Sequence, residues 1–325
     1  MKKVNLISIG LLITLSFIVS SCAVSNSPVI ASEIPQPSLE IPTAPKPAAP
    51  TPLLPPTPTY QPTPDLPTPT LNPLLNKKLE INVVTDIPYT SERKLDVYSP
   101  VEPGDWSVVV VQHGGDSTKS AVQLISKAIA QNGAVVFTPT YRSSQPYPPS
   151  DKVLGGLEDA ACAVRFARAK AEQYGTKSST RLVLAGHSAG GAIGLTIMLA
   201  GDDFKGDCLV KEGSALPDAF VGLDGAYDIL SLGSQDALER APLEEWNKFT
   251  PFTYVDRKPI REDVSFYLLC GSEEGLRQMG LRMFQALQGV GYKPYLAFLP
   301  GKGHGSMASA GNKQVLSVIT EAMQQ

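Results

Sequence analysis

Beyond residue 79 the chain alternates between two kinds of apolar pattern. Leu79-Glu-Ile-Asn-Val-Val84 and Lys94-Leu-Asp-Val-Tyr98 carry apolar side chains at every second position, the pattern of half-exposed strands. Ser107-Val-Val-Val-Val-Gln112 is a continuous branched run and predicts a strand buried on both faces. Short apolar runs at Ala134–Thr138, Arg181–Ala185, Ala219–Leu223, Val264–Cys270 and Lys293–Leu299 complete the strands. Helical segments fall between them, at Ser117–Gln131 (closed by Asn132-Gly133), Asp151–Tyr174 (with Gly175 just past its end), Gly191–Ala200, Gly275–Gln288 and Asn312–Met323. This alternation predicts an α/β fold with a mostly parallel eight-stranded sheet and helices on both faces. Ligands of such sheets bind beyond the carboxyl ends of the strands, so chemistry is sought just past each strand. The stretch from Ile229 to Ile260 lacks strong periodicity and carries Trp246, Phe249, Phe252 and Tyr254. It is an insertion with two open readings: a wall of a substrate cleft, or a surface excursion whose aromatics pack inward.

The first 75 residues follow neither pattern. Met1-Lys2-Lys3 precedes an apolar run from Leu6 to Val19, of signal-peptide length and short for a membrane span. The run ends Val19-Ser20-Ser21-Cys22, which looks like a bacterial lipobox, and implies cleavage before Cys22 and lipid attachment to it. Residues 1–21 are then a lipoprotein signal peptide, and the mature protein is expected outside the cytoplasm on a membrane anchor. Residues 22–75 hold more than half of the chain's 29 prolines, interleaved with Thr and Ala. Proline lacks the N–H that helices and ladders need, so this segment is read as an extended, disordered linker. The folded domain is expected over residues 76–325.

Composition narrows the function classes. A formal charge of −3 and a pI near 5.7 show no basic domain or stripe, so no nucleic-acid partner is expected. No His/Cys cluster has zinc-ligand spacing, and no metal or organic cofactor is implied. Beyond Cys22 three cysteines remain, so at most one intrachain pair can form. Cys270 ends an apolar strand and reads as a buried small hydrophobe. Cys162, on a helix, and Cys208, in a loop, are the favoured pair, and an oxidising compartment permits the bridge.

The candidate chemistry centres on Gly186-His187-Ser188-Ala189-Gly190, a G-x-S-x-G pentad between a strand and a helix. Such a turn lifts the serine hydroxyl above the sheet, and its small neighbours relieve crowding. A serine hydroxyl needs a base within hydrogen-bond reach. The chain has three histidines. His187 lies inside the turn, with its side chain expected to point away from where Ser188 Oγ projects, and His113 belongs to His113-Gly114-Gly115. His304, in the Pro300-Gly-Lys-Gly-His-Gly305 loop after the last strand, is assigned as general base. The base needs a carboxylate to hold its tautomer. The Val264–Cys270 strand ends in Gly271-Ser272-Glu273-Glu274, and Glu274 is chosen, with Glu273 as the alternative. Asp224 and Asp228, past the preceding strand, are read as loop-holding residues, Asp228 being a further alternative for the acid. Gly114 and Gly115 present bare backbone N–H groups and, with Ala189 N–H, are assigned to an oxyanion hole.

These motifs together resemble the α/β-hydrolase superfamily, carboxylesterase/lipase type, over roughly Leu79 to Gln325. The resemblance rests on the His-Gly-Gly motif, the Thr138-Pro-Thr-Tyr-Arg142 segment, the elbow, the acid turn and the final histidine. Within that superfamily it is similar to the acetyl- and feruloyl-esterase-like and kynurenine-formamidase-like enzymes. The resemblance implies a serine esterase working through an acyl-enzyme on short-chain or carbohydrate-linked esters, with Tyr141, Arg142 and Asp159 as scaffold. Asp116 stands where one branch has a third glycine, and glutamates stand where the usual acid is aspartate. Two other readings are carried: a serine amidase or peptidase, and a non-catalytic surface binding protein on the same scaffold.

Overall fold

Burial follows the strand pattern closely. In the computed structural model β3 (Ser107–Gln112) is buried from its second residue on, as its branched run requires. Val108 and Val110 enter the core on one face, and Val109 and Val111 the core on the other. This is the period-2 alternation of a strand covered on both sides. The structure describes residues 78–115, 117–142, 150–176, 181–228, 243–257 and 261–324. The signal segment, Cys22, the Pro/Thr-rich linker and Asp116 lie outside the described residues.

The remaining strands are β1 (Ile81–Pro88), β2 (Lys94–Pro100), β4 (Ala134–Pro139), β5 (Leu182–His187), β6 (Ala219–Leu223), β7 (Ser265–Cys270) and β8 (Tyr295–Phe298). They form one eight-stranded sheet in the order β1-β2-β4-β3-β5-β6-β7-β8. β1 pairs β2, and β2 pairs β4, antiparallel; all other pairs are parallel. The helices are α1 (Gln123–Gln131), α2 (Ser150–Lys170), α3 (Ala189–Ala200), α4 (Leu243–Phe249), α5 (Glu274–Gly289) and α6 (Lys313–Gln324). α2 and α3 cover one face, where Leu157, Val164, Ile193 and Ile197 meet Leu182 and Leu184. α1 and α6 cover the other, where Ile125, Ile129, Val315 and Ile319 meet Val183, Ala185 and Val221.

One expectation changes, and for the insertion's aromatics one of the two open readings holds. β2 is not half-exposed: everything after Lys94 is buried, because both faces of the strand are covered, Leu95 and Val97 entering one core and Tyr98 the other. Its one acidic residue, Asp96, is neutralised by Lys119 and accepts a bond from Asp86 N. The aromatics of the insertion pack inward: Trp246, Phe249 and Tyr254 are buried in the same core as α2 and α3. Phe249 O there accepts the Thr196 hydroxyl at 2.8 Å. A Cys162–Cys208 disulfide ties α2 to the segment that follows α3.

Candidate active site

Ser188 joins β5 to α3 with φ +56° and ψ −122°, a backbone that non-glycine residues rarely adopt. Such a conformation costs about 1–3 kcal/mol and persists only when its surroundings force it. Here the surroundings are four backbone bonds: Ser188 N donates to Leu223 O at 3.0 Å, and Ser188 O accepts from Gly191 N at 2.9 Å, Ala226 N at 3.1 Å and Ala192 N at 3.3 Å. A serine at the N-terminal cap of a helix ordinarily turns its hydroxyl onto the first backbone N–H groups. Ser188 makes no such capping bond, so its hydroxyl is not spent on the helix. The flanking glycines are steric necessities. A Cβ on Gly186 would lie 2.2 Å from Gly190 O, and one on Gly190 would lie 2.3 Å from His113 O.

His304 opens a short 3-10 helix, His304–Ala308, after β8. Its Nδ1 lies 2.9 Å from Asp224 Oδ2, and the N–H donates to the carboxylate. That bond leaves Nε2 as the ring's proton acceptor. Asp224 is the first residue past β6, at φ +54°, a conformation aspartate tolerates better than most residues. Its side chain is 0% exposed. Its N–H donates to Leu269 O at 2.7 Å, and its Oδ1 accepts Gly271 N–H at 2.8 Å. The carboxylate is thus clamped between the ends of β6 and β7 and aimed at the histidine loop.

Glu274 is not the partner of His304, which corrects the expectation from the β7 end. It is the first residue of α5, its side chain 69% exposed beside Arg277 at 3.4 Å, and its Oε1 accepts Gln278 Nε2 at 2.8 Å. Glu273, the alternative, is the exposed cap of the same helix. Starting a helix here turns both glutamates to its N-terminal surface, where negative charge is favoured. The Gly271-Ser272 turn instead seats the histidine loop: Ser272 N donates to Lys302 O at 2.8 Å and Ser272 Oγ does so at 3.1 Å. Asp228 pairs with Arg282 at 3.2 Å. Asp224, expected only to hold its loop, is the carboxylate that meets His304; an aspartate directly at a strand end and followed by glycine was the available signal.

The His113-Gly114-Gly115 loop follows β3 and lies against the elbow. A Cβ on Gly114 would be 3.3 Å from Ser188 Cβ, and one on Gly115 would be 3.6 Å from Ala189 Cβ. Bare backbone therefore reaches both Ser188 and the first residue of α3, whose N–H has no partner within its own helix. His113 itself is sealed in. Its ring stacks on Tyr141 at 4.2 Å, its Nδ1–H donates to Gly114 O at 2.7 Å, and Tyr141 OH donates to His113 O at 2.5 Å. Burial pushes its pKa down to about 4, so it stays neutral and shapes the loop. Arg142 holds Asp159 through three bonds of 2.9 Å, from its backbone N, Nε and Nη2, behind this loop. His187, expected to point away from the serine, has its ring against that of His304 at 4.5 Å. Cys270 is a free buried thiol whose pKa burial raises to about 12, which keeps it unreactive.

A mostly parallel eight-stranded sheet with a strained serine between β5 and α3, and a histidine past β8, defines an α/β-hydrolase. Solved structures share that fold. A truncated carbohydrate esterase from gut microbiota has 20% identity and a TM-score of 0.59, over 74% of this chain and 94% of the other. The BD-FAE family model matches residues 95–260, half of the chain, and the chain belongs to that family. Esterase 2 of Thermogutta terrifontis, phosphoramylated by tabun, has 19% identity over 74% of this chain and 92% of the other, with a TM-score of 0.57. An esterase of Pyrobaculum calidifontis has 16% identity over 77% and 87%, also at 0.57. Among curated proteins, none matches the chain in sequence.

Proposed function

We propose that the chain is a serine carboxylic-ester hydrolase that works through an acyl-enzyme. Ser188 Oγ attacks the ester carbonyl while His304 Nε2 takes its proton. Asp224 holds His304 Nδ1–H and stabilises the imidazolium that forms. Backbone N–H groups of Gly114 or Gly115 and of Ala189 receive the tetrahedral oxyanion, each worth about 3 kcal/mol of transition-state stabilisation. The imidazolium then protonates the leaving alcohol. Water, deprotonated by the same histidine, cleaves the acyl-enzyme and releases the acid. The observation that carries this reading is the 2.9 Å bond between His304 Nδ1 and a fully buried carboxylate, beside a serine that does not cap its helix.

The site of action in this reading is outside the cytoplasm, with Cys22 carrying a lipid and residues 22–75 acting as the tether. The Cys162–Cys208 bridge supports that compartment, because cytoplasmic thiols are kept reduced. Short-chain or carbohydrate-linked esters are the substrates proposed, and the likeness to a carbohydrate esterase favours acylated sugars among them. The test is turnover of p-nitrophenyl acetate and of acetylated oligosaccharides by wild type and by Ser188→Ala, with fluorophosphonate labelling mapped to its peptide. Turnover by wild type alone, with the label on Ser188, is the expected result. Equal turnover by both proteins, or label on another residue, refutes it. Hydrolysis of anilides in preference to esters would replace it with an amidase reading.

A further inference from the structure

The proposed chemistry leaves one imidazole at the crevice without a task. His187 is the last residue of β5 and the covalent neighbour of Ser188. Its Nε2 lies 3.0 Å from the backbone carbonyl O of His304, so the Nε2–H donates to that carbonyl. The two rings stand 4.5 Å apart at 33°. The other ring nitrogen faces the oxyanion loop: a Cβ on Gly114 would lie 3.3 Å from His187 Nδ1 and 3.3 Å from Ser188 Cβ. One side chain therefore touches the loop that carries His304 and the glycine that borders Ser188.

The histidine loop needs such an anchor. Three glycines, Gly301, Gly303 and Gly305, surround Lys302 and His304, and among the described residues beyond their chain neighbours nothing lies within 4 Å of where a Cβ on any of them would be. Within itself the loop is closed by Lys302 N to Leu299 O and by Ser306 N and Oγ to Gly303 O, and among the described residues it is tied to the strand ends by Ser272 N and Oγ on Lys302 O, by His304 Nδ1 on Asp224, and by His187 on His304 O. Of the ties to the strand ends, the one from His187 reaches the His304 backbone itself, and without it that backbone can shift about the side-chain bond to Asp224. A misplacement of 1 Å at a reacting group costs on the order of 10²-fold in rate.

We propose that His187 is a positioning residue: by donating its Nε2–H to the His304 carbonyl it fixes the base ring over Ser188, and its ring sets the spacing between that base and Gly114. The inference deepens the serine-hydrolase reading and rests on it. The ionisable groups acting on His187 are His304 and Asp224. Burial, followed by the neighbouring His304 ring, lowers its pKa, so His187 stays neutral while His304 carries the transferred proton.

Two variants of the full-length chain separate positioning from bulk. His187→Leu keeps similar volume without a donor, and His187→Gln keeps an amide N–H of similar reach. On p-nitrophenyl acetate, His187→Leu is expected to lower kcat by ~30-fold or more with KM within ~3-fold, and His187→Gln to restore kcat to within ~5-fold of wild type. Their melting temperatures should be alike. A leucine variant with kcat within ~3-fold of wild type, or a glutamine variant no better than leucine, overturns the proposal. If the leucine variant does not fold, His187→Asn, whose shorter amide misses the carbonyl, takes its place against His187→Gln, and equal kcat in those two overturns the proposal as well. Wild type and Ser188→Ala are run alongside. Equal turnover by those two sinks the serine-hydrolase reading and this inference with it, whereas a dead Ser188→Ala beside an active His187→Leu sinks this inference alone.

Discussion

Replacing Asp224 by asparagine separates the two candidate acids. The Asp224 carboxylate is fully buried and accepts two N–H bonds, from Gly271 at 2.8 Å and from His304 Nδ1 at 2.9 Å. Asparagine has one acceptor oxygen and one donor group, and cannot serve both. If its oxygen faces Gly271, its NH2 points at His304 Nδ1 and selects the tautomer whose Nε2 already carries a proton. If its oxygen faces His304, two donors confront each other at Gly271, and a buried N–H loses its partner at about 1–3 kcal/mol. Either arrangement also removes the negative charge that stabilises the imidazolium. The corresponding change in a Ser-His-Asp triad lowers kcat by roughly 10⁴-fold, or about 5 kcal/mol of transition-state stabilisation. Asp224→Asn is therefore expected to lose on the order of 10³–10⁴ in kcat on p-nitrophenyl acetate. Glu274 is 69% exposed, and its contacts are to Arg277 and Gln278 of its own helix. Glu274→Gln should stay within about 2-fold, since exposed helix pairs contribute only tenths of a kcal/mol. The reasoning fails if Asp224→Asn keeps kcat within about 10-fold, or if Glu274→Gln loses as much.

Three further outcomes follow from the geometry. Ser188→Gly removes the side chain from a residue at φ +56°, and should raise stability by about 1 kcal/mol, a gain of roughly 2–4 °C in Tm, while abolishing turnover; an unchanged or lower Tm would contradict the strain. His113 has its pKa lowered from 6.5 to about 4 by burial, so the unfolded chain binds a proton that the folded one refuses. Its contribution, roughly 3 kcal/mol, is present above pH 6.5 and is lost as pH falls toward 4. Urea midpoints measured across that window should fall with pH in wild type and fall less steeply in His113→Gln. The Cys162–Cys208 bridge closes a separation of 46 residues, so the double alanine variant should lose about 4 kcal/mol by chain entropy, read from urea unfolding with and without reductant. A wild-type midpoint insensitive to reductant would count against it.

Much of the frame was legible in the chain because each element's own residues specify it. The branched run of β3 could only be a strand covered on both faces, and it is. The pentad around Ser188 carried its own steric argument, since Gly186 and Gly190 stand where any side chain would strike backbone. β2 was misjudged because its alternation, read alone, could not show that both of its faces are covered, with Asp96 neutralised by Lys119, 23 residues on.

The carboxylate that meets His304 was hidden for a similar reason. Periodicity and spacing located β6 and β7 correctly, and both are followed by carboxylates. Which carboxylate meets His304 depends on the direction each chain takes on leaving its strand. Past β7 the chain enters α5 and turns Glu273 and Glu274 to the surface; past β6 it turns at φ +54° and folds Asp224 inward. The sequence by itself determined the strand and helix order, the elbow and the glycine-bordered loop, because these depend on near neighbours and on side-chain size. Only the tertiary structure decided that Asp224 holds His304 and that His187 holds its backbone. Those contacts join residues 80 and 117 positions apart, and a bond of that range depends on how the sheet brings strand ends together.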